Sequence, residues 1–160
     1  MIVRRAKRAD AAAMAEILNG LIAAGGTTAL QTPLTPDALW QWVEAHPDRN
    51  AWHVAEAEDG QILGFQLAEP HADLPEDAID IASFARIGAG GQGVGAALFA
   101  ATSEACRAMG YRWINASIRS DNRSGLTYYA RMGFVDWHVD PDAKLADGTV
   151  TGKTHKRFEL

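Results

Sequence analysis

Five glycines fall at positions 88, 90, 91, 93 and 95, and a helical pattern starts directly behind them. The first N–H groups of a helix have no partner inside it, and that end carries positive dipole charge. Glycines ahead of such an end remove Cβ atoms and let an anion reach the backbone. Phosphate is the usual guest. Gly88-x-Gly90-x-x-Gly93 also matches the dinucleotide fingerprint between a strand and a helix. That reading needs an acidic residue at the end of the next strand, where Ile118 and Arg119 stand. It also needs a long domain beyond, and only Ala96 to Leu160 follow. A Walker loop fails because Val94 and Gly95, not Lys and Ser/Thr, follow Gly93. A plain surface turn is the remaining alternative.

A second concentration lies in SDNRSGLTYYARMGF, residues 120 to 134. Asn122 and Tyr129 are seven apart, almost two helical turns, and so share one helix face. Two carboxylates, Asp80 and Glu69, sit on the strands that lead towards the glycines.

These groups need a frame. MIVRRAK reads as an opening strand, and Asp10 as the N-cap of a helix carrying Met14, Ile17, Leu18, Leu21 and Ile22 at helical spacing. Gly25-Gly26 breaks it. Thr35-Pro36 starts a second helix, which His46-Pro47 ends. Residues 51 to 69 form two strands about a turn at Asp59-Gly60, and residues 71 to 77 a polar loop. IDIASFARI is a strand into the glycines. Val94, Leu98, Thr102, Ala105, Cys106 and Met109 stripe the next helix, which Gly110 stops. YRWINASI is a strand, Asp121 to Met132 a helix closed by Gly133, and FVDWHV and GKTHKRFEL two last strands. The order β-α-α-β-β-β-α-β-α-β-β predicts one mixed α/β domain over residues 1–160. The strand-helix-strand unit around the glycines requires a locally parallel pair.

SDNRSGLTYYARMGF resembles the second signature of the GNAT superfamily of N-acetyltransferases, an Asn followed by Tyr and then Gly-Phe: here Asn122, Tyr129, Gly133 and Phe134. The first signature, Arg/Gln-x-x-Gly-x-Gly/Ala, falls on Gly90-Gly91-Gln92-Gly93-Val94-Gly95, with Gly90 in place of the usual Arg or Gln. The order of elements is similar to that fold as well. Residues 15 to 29 and the Thr-Pro helix start resemble the phosphinothricin and methionine sulfoximine acetyltransferase group.

The resemblance implies a mostly antiparallel sheet flanked by helices, and attack of an amine on the thioester of acetyl-CoA. It implies that Gly90, Gly91, Gln92, Gly93, Val94 and Gly95 hold the pyrophosphate, with Asn122 helping and Gly125 leaving room for the cofactor. Main-chain N–H groups near Ser83, Phe84 and Ala85 would receive the thioester oxygen. Tyr129 would protonate the leaving thiolate, with Tyr128 only packing. Asp80, acting through water, is the expected base and Glu69 its rival. Thr28 and Trp42, with Glu69, are expected to line the acceptor site, Thr27 and Trp40 being lesser candidates. The acceptor would be a small, amino-acid-like primary amine, and a homodimer is an allowed assembly. A non-catalytic acyl-CoA sensor is the reading from another class.

Composition sets the exclusions. A net charge of −5 with no block of like charge argues against a general nucleic-acid partner. No apolar run approaches the ~18 residues of a membrane span, and no leader is expected from MIVRRAKRADAAAMAEIL. The single cysteine, Cys106, excludes an internal disulfide, lies in an apolar stripe and suits a reducing, cytoplasmic compartment. His46, His53, His71, His138 and His155 lack metal-ligand spacing, so no metal is expected.

Overall fold

β3 (Ile62–Glu69) is buried along its whole length. A strand covered on both faces belongs in the middle of a sheet with a layer on each side. The computed structural model describes residues 1–160 and shows this arrangement. The other elements are β1 (Ile2–Arg5), α1 (Ala11–Ala24), α2 (Pro36–Val43), β2 (Ala51–Glu56), β4 (Ala78–Ala85), α3 (Val94–Ala108), β5 (Trp113–Arg119), α4 (Arg123–Met132), β6 (Val135–Asp140) and β7 (Lys153–Glu159). The sheet has seven strands in the order β1-β2-β3-β4-β5-β7-β6. Every neighbouring pair is antiparallel except β4 and β5, which the α3 crossover joins in parallel.

Alternation sorts the side chains between the layers. Phe65, Leu67 and Glu69 of β3 share a face with Phe84, Ala82 and Asp80 of β4. On that face Met14, Ile17 and Leu18 of α1 and Leu39 of α2 pack against Trp52, Phe65, Leu67 and Phe84. On the other, Phe99 and Cys106 of α3, Tyr129 of α4 and Phe134 cover Ile79, Ile81, Ile114, Ala116 and Ile118. A third cluster, Val94 and Leu98 with Ala55 and Leu63, seats the start of α3. α1 and α2 do not extend across the sheet. The face carrying Asn115, Ser117, His155 and Trp137 stays open, with Ser117 exposed and Trp137 47% exposed.

Element order and types match the expectations, with local differences. Thr35 caps α2 as expected, its hydroxyl accepting the Ala38 N–H at 3.1 Å with Pro36 in the first turn. Asp10 precedes α1 but does not cap it. Its carboxylate turns back to the Lys7 N–H (2.7 Å) and takes the Arg4 guanidinium in a two-pronged bond (2.8 and 2.9 Å). That pair ties the edge strand β1 to α1. α4 begins at Arg123 rather than Asp121, because Asn122 is its cap.

Phe65 is fully buried and stacks between Trp52 and Phe84. Phe65→Ala should destabilise the fold by about 3–5 kcal/mol through lost burial and the cavity left behind. Urea unfolding checks this as a lower midpoint at unchanged slope.

Candidate active site

The turn between β4 and α3 is open and rich in left-handed glycines. Gly88, Gly91 and Gly93 have φ of 91°, 79° and 73°, the left-handed region that favours glycine. A Cβ at Gly90, Gly91 or Gly93 would meet nothing of this chain within 4 Å. Packing therefore does not explain their bareness, and the space over the α3 N-terminus is open. Ala97 N–H closes on Gly93 O at 3.1 Å, which leaves the N–H groups of Val94, Gly95 and Ala96 ahead of the first helical bond. An anion of the phosphate kind fits such an end. Gln92 is exposed beside it, whereas the Val94 side chain is core.

Gly95 differs from its neighbours. A Cβ there would lie 2.6 Å from Tyr128 Cε1, so its bareness serves internal packing. Tyr128 does more than the packing expected of it. Its hydroxyl donates to Gly95 O (2.8 Å) and accepts from Gln66 Nε2 (3.0 Å), pinning α3 to α4 and β3.

The sheet divides next to this turn. β4 and β5 pair only from Ala78↔Trp113 to Ile81↔Ala116. β4 then runs on with β3 to Ala85, and β5 with β7 to Arg119. Arg86 N–H donates to Leu63 O on β3 at 2.8 Å. Antiparallel alternation then sends the Phe84 and Ala82 N–H groups to β3, and those of Ser83 and Ala85 into the gap. Phe84 is thus not one of the expected free donors: its N–H serves the ladder and its ring lies in the α1 core.

Two titratable groups flank the gap from opposite faces. Tyr129, 6% exposed, has its hydroxyl 2.8 Å from Ser83 Oγ, to which Gln66 Nε2 also donates. Burial pushes its phenol far above the usual value, so it carries its proton. Asp80 lies on the other face, its Oδ1 accepting from Asn115 Nδ2 at 2.8 Å. Burial pushes this carboxyl up to about 6, against the lowering effect of the Asn115 bond.

Other expected residues take different places. Glu69 is opposite Asp80 in the ladder but sealed from solvent, its Oε1 accepting from Trp52 Nε1 and Asn50 Nδ2. Burial raises its carboxyl as well. Glu69 is thus bonded within the fold, and Asp80, half-buried, is the less enclosed of the two carboxylates. Trp42 packs edge-on against Trp52 at 5.0 Å and is half-buried. Thr28 is held by its carbonyl, which accepts from Arg119 Nη1 at 3.1 Å. Asn122 accepts the Gly125 N–H (3.0 Å) and donates to Thr27 O (3.1 Å), so it caps α4 and anchors the loop after α1. Gly125 does not leave a passage: a Cβ there would lie 2.5 Å from Asn122 Nδ2.

Sequence reading missed Gln66, Asn115, Ser117 and Trp137, all of which bond within or beside the gap. The available signal was a polar residue inside an apolar strand, as Gln66 is between Phe65 and Leu67 and Asn115 between Ile114 and Ala116. The structure also brings His138 and His155 together, ring centroids 5.4 Å apart. No group of three or more His, Cys, Asp or Glu could hold a metal ion, and no helix is long and apolar enough to cross a membrane.

A bare helix N-terminus beside two parting parallel strands is an arrangement whose backbone donors suit a phosphate-bearing ligand. The model of the acetyltransferase (GNAT) domain matches residues 1–135, and the chain belongs to that family of enzymes, with acetyl-CoA as the acetyl donor. It is similar to YwnH of Bacillus subtilis strain 168, a candidate phosphinothricin acetyltransferase by name, with 26% identity over all of this chain and 95% of that one. It is also similar to the phosphinothricin N-acetyltransferase of Streptomyces coelicolor, 29% identical over 64% of this chain and 63% of the relative. Among solved structures, the phosphinothricin acetyltransferase of Sinorhizobium meliloti in complex with AcCoA shares the fold at a TM-score of 0.90 and 20% identity, covering 99% of this chain and 88% of that one.

Gly93→Val should leave the protein folded at a cost of about 1–2 kcal/mol for a branched residue in the left-handed region. It should weaken acetyl-CoA binding at least tenfold, because the side chain projects into the open space over the helix end. Calorimetric titration checks this, and unchanged affinity in a folded variant would place the phosphates elsewhere.

Proposed function

We propose that the protein transfers the acetyl group of acetyl-CoA to the primary amine of a small, amino-acid-like molecule by direct attack on the thioester. The observation that carries this reading is the divided sheet: free main-chain donors in the gap, a protonated phenol on one face, a carboxylate on the other. The glycine turn and the first N–H groups of α3 hold the pyrophosphate. The Ser83 and Ala85 N–H groups point to where the thioester oxygen gains charge. Fixed donors of this kind contribute about 3–4 kcal/mol each in other enzymes. Asp80 takes the amine proton through a water molecule. The nitrogen bonds to the carbonyl carbon, the carbon–sulfur bond breaks, and Tyr129 gives its proton to the sulfur.

An amino-acid-like acceptor is supported by the names of the two curated relatives, since phosphinothricin is an amino acid. It is also supported by Lys153, which is on the open face opposite Asp140 and Arg119, has no salt-bridge partner and is near enough to lower the Asp80 carboxyl. Its ammonium suits a carboxylate. A screen of amines for acetyl-CoA-dependent thiol release tests the assignment, and activity confined to amines without a carboxylate would overturn the acceptor class.

Asp80 accepts a proton only when ionised. kcat/KM should therefore fall about tenfold per pH unit below 6 and be free of this limb above it. The slope from the acceptor's own ionisation is superimposed, and Asp80→Asn should lower kcat/KM throughout and abolish the limb near 6 while leaving that slope.

Tyr129→Phe keeps the ring against Phe134 and removes the hydroxyl. It should lower kcat and kcat/KM together by about 100-fold, with acetyl-CoA affinity nearly level. Tyr128→Phe, which loses the Gly95 bond, should cost about 1 kcal/mol of stability and change kcat little. Equal small effects of both on kcat would make Tyr129 structural.

A further inference from the structure

Asn115 is 2% exposed and makes three side-chain bonds. Its Nδ2 donates to Asp80 Oδ1 (2.8 Å) and to Ser117 Oγ (3.0 Å), and its Oδ1 accepts from Trp137 Nε1 (2.9 Å). An indole N–H can only donate. It therefore admits only the oxygen end of the amide, and the NH2 end is forced towards Asp80. In the reverse orientation the amide oxygen would face the carboxylate, a contact that only the protonated acid could make.

Trp137 meets Asn115 at a backbone irregularity. The β6–β7 register passes from Asp136↔Lys156 to His138↔His155, so Trp137 is the extra residue of a bulge. Bulges re-aim a side chain, and they are common beside active sites. The Trp137 ring then rests edge-on against Trp113 at 5.7 Å, whose other contact is the Arg157 guanidinium 3.9 Å from the ring centroid.

We propose that Trp137 is a positioning residue for the reaction: through Asn115 it orients the donor that holds Asp80 as a carboxylate facing the acceptor. The inference rests on the reading of Asp80 as the base. Other charged or titratable groups lie around Asp80 on both faces of the sheet. They are Glu69 on β3, His71 in the loop after it, Lys153 and His155 on β7, and Tyr129 on α4. Trp137→Phe leaves all of them in place and keeps a ring against Trp113. It removes one N–H from a half-exposed site, so the variant should fold.

The test follows the Asp80 carboxyl by carbon-13 NMR in the full-length protein, with Asp80→Asn assigning the signal. Loss of a donor to an ionised oxygen favours the neutral acid. In Asn115→Ala the titration midpoint should rise by about one pH unit. In Trp137→Phe it should rise by part of that, and the double variant should go no further than Asn115→Ala alone. The low-pH limb of kcat/KM should move with the midpoint while KM for acetyl-CoA stays level. A Trp137→Phe midpoint that coincides with that of the unaltered protein overturns the inference, whatever Asn115→Ala does. A midpoint that moves while the kinetic limb stays fixed overturns the reading of Asp80 as base and leaves the bonded chain intact.

Discussion

The parting of β4 from β5 is the constraint on which the rest of the structure depends. A parallel pair lacks a tight turn and needs a crossover, here the turn and α3. Each of the two strands keeps a second partner, β3 for β4 and β7 for β5, so neither is lost from the sheet when they separate. The ladder between them therefore stops after Ile81 without unfolding either side. What remains is a pair of N–H groups, at the half-buried Ser83 and the exposed Ala85, that no neighbouring strand answers. Their presence here is intelligible as preorganisation for a ligand carbonyl.

Polar groups gather around this seam in a way an ordinary core would not tolerate. Gln66 is fully buried, donates to Ser83 and Tyr128, and leaves its Oε1 without a partner. His53 lies beside it across the β2–β3 ladder, and burial holds its imidazole down to about 4, so it is neutral. Tyr128 and Tyr129 are neighbours in sequence with different tasks. One fastens the helix start to the sheet, and the other meets Ser83 at the gap. The stabilising contacts lie one layer away, in the Trp52–Phe65–Phe84 stack and around Phe99 and Phe134.

The glycines divide by physical cause rather than by position. Gly90, Gly91 and Gly93 face empty space, and at Gly91 and Gly93 the left-handed backbone itself favours glycine. Gly95 and Gly125 face the Tyr128 ring and the Asn122 amide, and their bareness concerns the fold itself. All five lie in the two stretches that resemble the family signatures, and spacing alone cannot separate the two causes. With Gly90 in place of the usual Arg or Gln, the helix end presents backbone N–H groups and the exposed Gln92.

The order of elements, the parallel pair, the capped start of α2 and the phosphate-type turn were determined by local sequence. Hydrophobic period, Gly and Pro placement and helix-end chemistry are properties of a few adjacent residues. Asn122 and Tyr129 could be placed on one face of α4 for the same reason. Tertiary structure alone decided what those side chains meet. Asn122 turned to its own helix end and to Thr27, and Glu69 was closed in by Trp52 and Asn50, because partners remote in sequence stood within bonding distance. The chain from Trp137 through Asn115 to Asp80 joins three strands and a bulge. Hydrogen bonding depends on distances of about 3 Å, and strand register across β4, β5, β7 and β6 sets those distances, which no spacing along the chain encodes.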